Sequence, residues 1–123
     1  MTTLSETKHA GGFLVWEVLR DYTRETITVA SGAGKLEPGT VLGKITTGGK
    51  YTELAPAATN GSQNAAGILW DGLDATSADG QAVALVRGPA ILNKSEVTFP
   101  AGATDAQMTA AITALAAVGI ILR

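Results

Sequence analysis

Until Pro100 the chain is a series of short apolar runs, each cut by glycine, proline or Asx turn signals, and no run is long enough to carry a helix. Phe13-Leu14-Val15-Trp16-Glu17-Val18-Leu19 is rich in branched and aromatic residues and reads as a strand. Glu25 to Ala30 alternates polar and apolar, with Ile27 and Val29 on one face, the pattern of a half-buried strand. Ser31-Gly32-Ala33-Gly34 ends it. Glu37-Pro38-Gly39-Thr40 has proline and glycine at the two central positions of a type II turn. Val41 to Thr46 and Tyr51 to Leu54 then form a hairpin about Thr47-Gly48-Gly49-Lys50. Ala55 to Asn64 is loop. Ala65 to Trp70 and Gln81 to Val86 are apolar enough for buried strands.

After Pro100 the period changes. Thr104 and Gln107 have capping-box spacing, and Asp105 suits the positive end of a helix dipole. Met108, Ala111, Ile112 and Leu115 recur at helical spacing, Gly119 is a natural stop, and Ile120-Ile121-Leu122 reads as a closing strand. About seven strands, one C-terminal α-helix and no βαβ alternation predict a small, mostly β domain. The 123 residues fit one domain, with a core of Ala, Val, Ile and Leu. Residues 1–12 are polar and small and end in Gly11-Gly12, so they are expected to be a flexible arm on a folded unit of residues 13–123.

Composition removes several functions. Cysteine is absent, which excludes disulfides, thiolate catalysis and cysteine zinc sites. The net charge is −2 and the nine basic residues are scattered, so no nucleic-acid partner is expected. No apolar stretch approaches the roughly 20 residues of a membrane span, and the N-terminal residues lack the apolar core of a signal peptide. The expectation is a soluble protein made in the cytoplasm.

The stretch Ala65 to Gly88, AAGILWDGLDATSADGQAVALVRG, holds Asp71, Asp74 and Asp79 between two apolar runs. Their spacing does not match a calcium loop, whereas Asp71-Gly72 and Asp79-Gly80 are turn dipeptides, so this is expected to be one loop with two turns. Gly34-Lys35 and Gly49-Lys50 lack the partner glycine and hydroxyl of a phosphate loop. His9, the single histidine, lies in the arm, where nothing holds it as a catalytic base. Glu17, Glu53 and Glu96 could face another acid across a cleft, but the sequence pairs none of them. Trp16 and Trp70 could be ligand platforms, core residues or subunit contacts. No catalytic residue, metal site or cofactor is expected. A small ligand-binding β module, holding a carbohydrate or metabolite around Trp70 and Asp71, is one reading of such a chain.

Lys50-Tyr51, Asn60-Gly61, Ala65-Ala66-Gly67-Ile68-Leu69, Val97-Thr98-Phe99-Pro100-Ala101, a helix and then Gly119-Ile120-Ile121-Leu122 occur in the order seen in head decoration proteins of lambda-like tailed phages. The chain resembles that family over about residues 40–123, while residues 11–36 resemble a longer-armed branch. The resemblance implies a non-enzymatic capsid cement of the β-clip, barrel-like type, located on the virion surface. It implies a homotrimer on three-fold sites of the expanded shell, bound to the major capsid protein. The arm would supply the capsid contact through Thr2, Thr3, Leu4, Ser5, Glu6 and Thr7, which are able to add to a sheet edge, with Gly11-Gly12 as the hinge. Trp16, Trp70, Pro89, Ala90, Ile91 and Leu92 are the candidates for the trimer interface.

Overall fold

The structure, a computed structural model, describes residues 11–19 and 23–123. Residues 1–10, which hold nearly all of the expected arm, lie outside the described residues. The strands are β1 (Leu14–Glu17), β2 (Arg24–Val29), β3 (Gly34–Leu36), β4 (Val41–Lys44), β5 (Tyr51–Glu53), β6 (Ala65–Leu69), β7 (Leu73–Ala75), β8 (Gly80–Leu85), β9 (Ala90–Leu92) and β10 (Ile120–Leu122). A 3-10 turn spans Lys94–Glu96, and helix α1 spans Asp105–Ala117. The protein is thus mostly β with one C-terminal helix, as its sequence pattern predicts.

Five strands close a barrel in the order β2-β5-β4-β6-β8. One cluster of buried side chains takes Ile27 and Val29 from β2, Leu42 from β4, Tyr51 from β5, Leu69 from β6 and Ala84 from β8. Each barrel strand contributes to it, so it fills the barrel interior. Side chains next to these, Val41, Ile68 and Leu85, belong to a second cluster with Ala111 and Leu115 of α1 and with Phe13, Ala90, Leu92 and Ile120. Both faces of β4 and β6, and of β8 at its Ala84–Leu85 end, are therefore buried, one into the barrel and one into the second cluster. This is why Ala65 to Leu69 reads as a continuous apolar run rather than an alternation.

Outside the barrel, β1, β9 and β10 form a three-stranded sheet, antiparallel between β1 and β9 and parallel between β9 and β10. Strands β3 and β7 pair as a separate two-stranded ribbon. The expected loop between Trp70 and Gln81 therefore contains a strand. The hairpin β4–β5 forms as expected. At the preceding turn Gly39 has φ +89° and the Thr40 amide donates to the Glu37 carbonyl at 3.2 Å, which fits the type II pattern.

The capping box of α1 is present in full. The Gln107 amide donates to Thr104 Oγ1 at 3.1 Å, and the Thr104 amide donates to Gln107 Oε1 at 2.9 Å. Thr104→Ala removes one acceptor at the helix start and should destabilise the fold by about 1 kcal/mol. Chemical denaturation checks this, and the midpoint should fall without a change in slope. Of the expected helical stripe, Ala111 and Leu115 are fully buried, whereas Met108 and Ile112 are half-buried at its margins. No helix among the described residues is long and apolar enough to cross a membrane.

Candidate interaction surface

The sheet β1-β9-β10 has one face in the core and one outside. Ala90, Leu92 and Ile120 are buried, and Leu14 and Leu122 pack partly against the same cluster. On the outside Trp16 stands opposite Ile91, and Ile91 stands opposite Ile121, so the three form one row across the sheet. The register slips between Leu14 and Trp16, and this bulge leaves both Val15 and Trp16 exposed.

Among the described residues the exposed large apolar side chains are Val15, Trp16, Val18, Leu19, Val83, Val118 and Ile121. All except Val83 belong to this sheet or the segments adjoining it. Trp16 remains 49% exposed and Ile121 40%, which is unusual for such side chains when they stand together. Isolated exposed apolar residues need no explanation, but a contiguous set on one sheet is the mark of a contact surface.

The sequence candidates divide accordingly. Thr2, Thr3, Leu4, Ser5, Glu6 and Thr7 lie outside the described residues. Trp16 and Pro89 are exposed, and Ile91 is half-buried in the outward row. Ala90 and Leu92 are buried in this chain's own core. Trp70 is half-buried and meets Phe13 edge-on, with ring centroids 5.7 Å apart and planes at 75°. The Arg24 guanidinium lies 3.4 Å from the centroid of its ring. Val15, Val18, Leu19, Val118 and Ile121 were not among the candidates. For Val15, Val18 and Leu19 the signal was present in FLVWEVL, a run with a single charge that supplies apolar residues to both faces of a strand.

That charge is used internally. Glu17 accepts a hydrogen bond from Thr23 Oγ1 at 2.6 Å and an ion-pair contact from Arg24 through Nε at 3.3 Å and through Nη2. Glu17 therefore faces a cation, not a second acid. Among the described residues every buried side-chain polar atom has a partner.

The three aspartates each hold their own segment. Asp71 Oδ1 accepts from the Gly72 amide at 2.7 Å, and Asp74 Oδ1 accepts from the amide and hydroxyl of Thr76 at 3.0 and 2.6 Å. Asp79 accepts from the Ser31 amide at 2.8 Å and from Lys50 Nζ at 2.6 Å, tying three turns together at one end of the barrel. No three potential metal ligands gather among the described residues. The hydrogen bonds from Lys50 and from the Ser31 amide hold the Asp79 carboxyl below the usual aspartate range. The Thr76 hydroxyl and amide do the same for Asp74. A carboxylate whose pKa is lower folded than unfolded contributes its full share above the unfolded value, and that share is lost as the pH falls through the folded value. Acidification below about pH 4 should therefore loosen this end of the barrel first. Hydrogen exchange at the Ser31 amide, taken relative to the intrinsic rate at each pH, reads it: protection should fall with acid in the native chain and should be low and pH-independent in Asp79→Ala, which has no acceptor.

Two concavities among the described residues are small or open. A groove of about 160 Å³ beside α1, lined by Leu54, Pro56, Ala110 and Ala114 among others, is below the roughly 300–1,000 Å³ of small-molecule sites. An open polar dish of about 300 Å³ lies over Lys44, Lys50 and Tyr51, and its Lys50 is occupied by Asp79. The barrel interior is closed by its own side chains. The feature that stands out among the described residues is the exposed apolar face of the β1-β9-β10 sheet, a kind of surface found in assembly modules. The family follows from comparison with known proteins: the model of bacteriophage lambda head decoration protein D matches residues 3–120, and the chain belongs to that family. Its role is decoration of the phage capsid, its place is the virion head, and its family is one of structural capsid proteins. No curated protein matches the chain.

Proposed function

We propose that the chain is a non-enzymatic cement which binds as a homotrimer at three-fold sites of the expanded head and stabilises it against internal pressure. It is made in the host cytoplasm and joins the major capsid protein after the shell has expanded. Residues 1–10 supply the shell contact: Thr2, Thr3, Leu4, Ser5, Glu6 and Thr7 add as a strand to an edge of the shell protein, gaining affinity from main-chain hydrogen bonds. Three arms on one trimer make that attachment multivalent, so modest single contacts sum to firm binding.

The single observation that carries the self-association is the outward row Trp16, Ile91 and Ile121, with Pro89 beside it, on a sheet whose other face is already core. A three-fold ring needs a head-to-tail contact that closes, and one continuous apolar face on each copy can supply one side of it. The reading is tested on shells and in solution together. Full-length protein should sediment with expanded, undecorated shells of its phage, and a chain lacking residues 1–10 should stay in the supernatant while remaining trimeric. Trp16→Ala should weaken self-association by on the order of 2 kcal/mol, as for a central interface aromatic. Because Trp16 is exposed in the single chain, circular dichroism of that variant should keep its native form. A monomeric full-length protein, or a Trp16→Ala trimer as tight as the native one, contradicts the interface.

A further inference from the structure

Gly11 was expected to be a hinge, and its surroundings are those of a fixed point. Its amide donates to the Trp70 carbonyl at 3.0 Å, and its carbonyl accepts from the Leu14 amide at 3.0 Å. Its φ is +66°, a backbone conformation that favours glycine. A Cβ at this position would lie 2.3 Å from Trp70 Cζ2 and 2.4 Å from Cη2, so the main chain is pressed against the indole and only glycine fits.

Trp70 is itself held. Its amide donates to the Val83 carbonyl on β8 at 2.9 Å, and Phe13 meets its ring edge-on. Arg24 stacks on the same ring and is oriented by Glu17 at the end of β1. The chain leaving the domain at residue 11 is thus joined to the barrel through Trp70, and β1 is joined to the same indole through Glu17 and Arg24. Sheet pairing alone would not require this arrangement: β1 is bonded to β9, whereas Trp70 follows β6 of the barrel.

We infer that Trp70 and Gly11 form an anchor that fixes the root of the arm, and that Trp70 is a positioning residue for shell attachment. The inference rests on the reading of residues 1–10 as the shell contact. Ten residues reach at most about 33–36 Å when extended, so where they start decides which part of the shell they can meet. A root fixed on the barrel also removes conformations that the arm would otherwise lose on binding, which raises the effective concentration of its strand at the shell. Loss of the anchor should therefore weaken attachment without changing any contact made by residues 1–10.

The test uses full-length protein, Gly11→Ala and, at the exposed neighbouring position, Gly12→Ala as control. Two readouts are taken: hydrogen exchange of the residue 11 amide by NMR, and the concentration that half-saturates expanded shells. In the native chain the Gly11 amide should be protected. Gly11→Ala should lose that protection and should need about tenfold more protein to half-saturate the shells, whereas Gly12→Ala should match the native chain. An unprotected Gly11 amide in the native protein overturns the anchor directly, with no variant needed. Loss of protection in Gly11→Ala with native attachment overturns the positioning role. If native protein fails to bind shells while its Gly11 amide is protected, the shell-contact reading fails and the positioning role fails with it, leaving the anchor as a feature of the fold alone.

Discussion

Phe13→Ala should destabilise the protein by about 3–5 kcal/mol, the range for removing a fully buried aromatic ring. Phe13 is 2% exposed and belongs to the cluster between the barrel and α1. Its carbonyl accepts from the Asn93 amide at 2.7 Å, and its ring meets Trp70 edge-on. The loss therefore combines apolar burial, a cavity in that cluster and an aromatic pair. It also separates arm from domain: a residue in a free arm could be truncated at almost no cost. Unfolding in urea should be followed at one fixed protein concentration, since association adds to apparent stability. The midpoint should fall with the slope unchanged. A loss below about 1 kcal/mol would place Phe13 outside the folded unit.

Glu17→Ala should cost about 2–3 kcal/mol, more than an exposed ion pair provides. The two side chains are only 21% and 11% exposed for Arg24 and Glu17 respectively, so truncating the acid leaves a largely buried guanidinium without its carboxylate. Thr23 retains its bond to the Leu19 carbonyl at 3.1 Å, which limits the damage to the arginine. The range is set below that of a fully buried pair because Arg24 keeps some solvent and its stacking on Trp70. A double-mutant cycle with Arg24→Ala isolates the pair, and the two losses should fall short of additivity by about 1–2 kcal/mol. Additive losses would mean that the pair is incidental and that packing of the two stems accounts for both.

Much of the fold is legible in the sequence because its signals are local. The Glu37–Thr40 turn, the β4–β5 hairpin, the Thr104–Gln107 capping box and the Gly119 stop each depend on a few neighbouring residues, and each forms. Strands β3 and β7 are not legible. Each is three residues long, sits among glycines and Asx turns, and becomes a strand only by pairing with the other. Strand β9 begins directly after Pro89 and is framed by β1 and β10, one far upstream and one far downstream. Barrel closure through Val29 opposite Tyr51 is likewise a long-range event with no local mark.

The exposed apolar face was half legible. The apolar excess of Phe13 to Leu19 is plain, and Trp16, Pro89 and Ile91 could be picked from it and from the run after Gly88. Ala90 and Leu92 could not be told from them, since period 2 says that alternate residues share a face but not which face is covered. The bulge at Val15 and the row that Ile121 completes depend on register. The anchor was illegible for another reason: Gly11 reads as a flexible residue until the indole of Trp70, distant in sequence, is set against it.

Direct imaging of expanded shells incubated with full-length protein tests the central claim most simply. The account predicts three-lobed density centred on the local three-fold axes, each lobe holding the five-stranded barrel, with a strand running from its base into the shell. Bare shells, or single lobes placed away from three-fold axes, would contradict it.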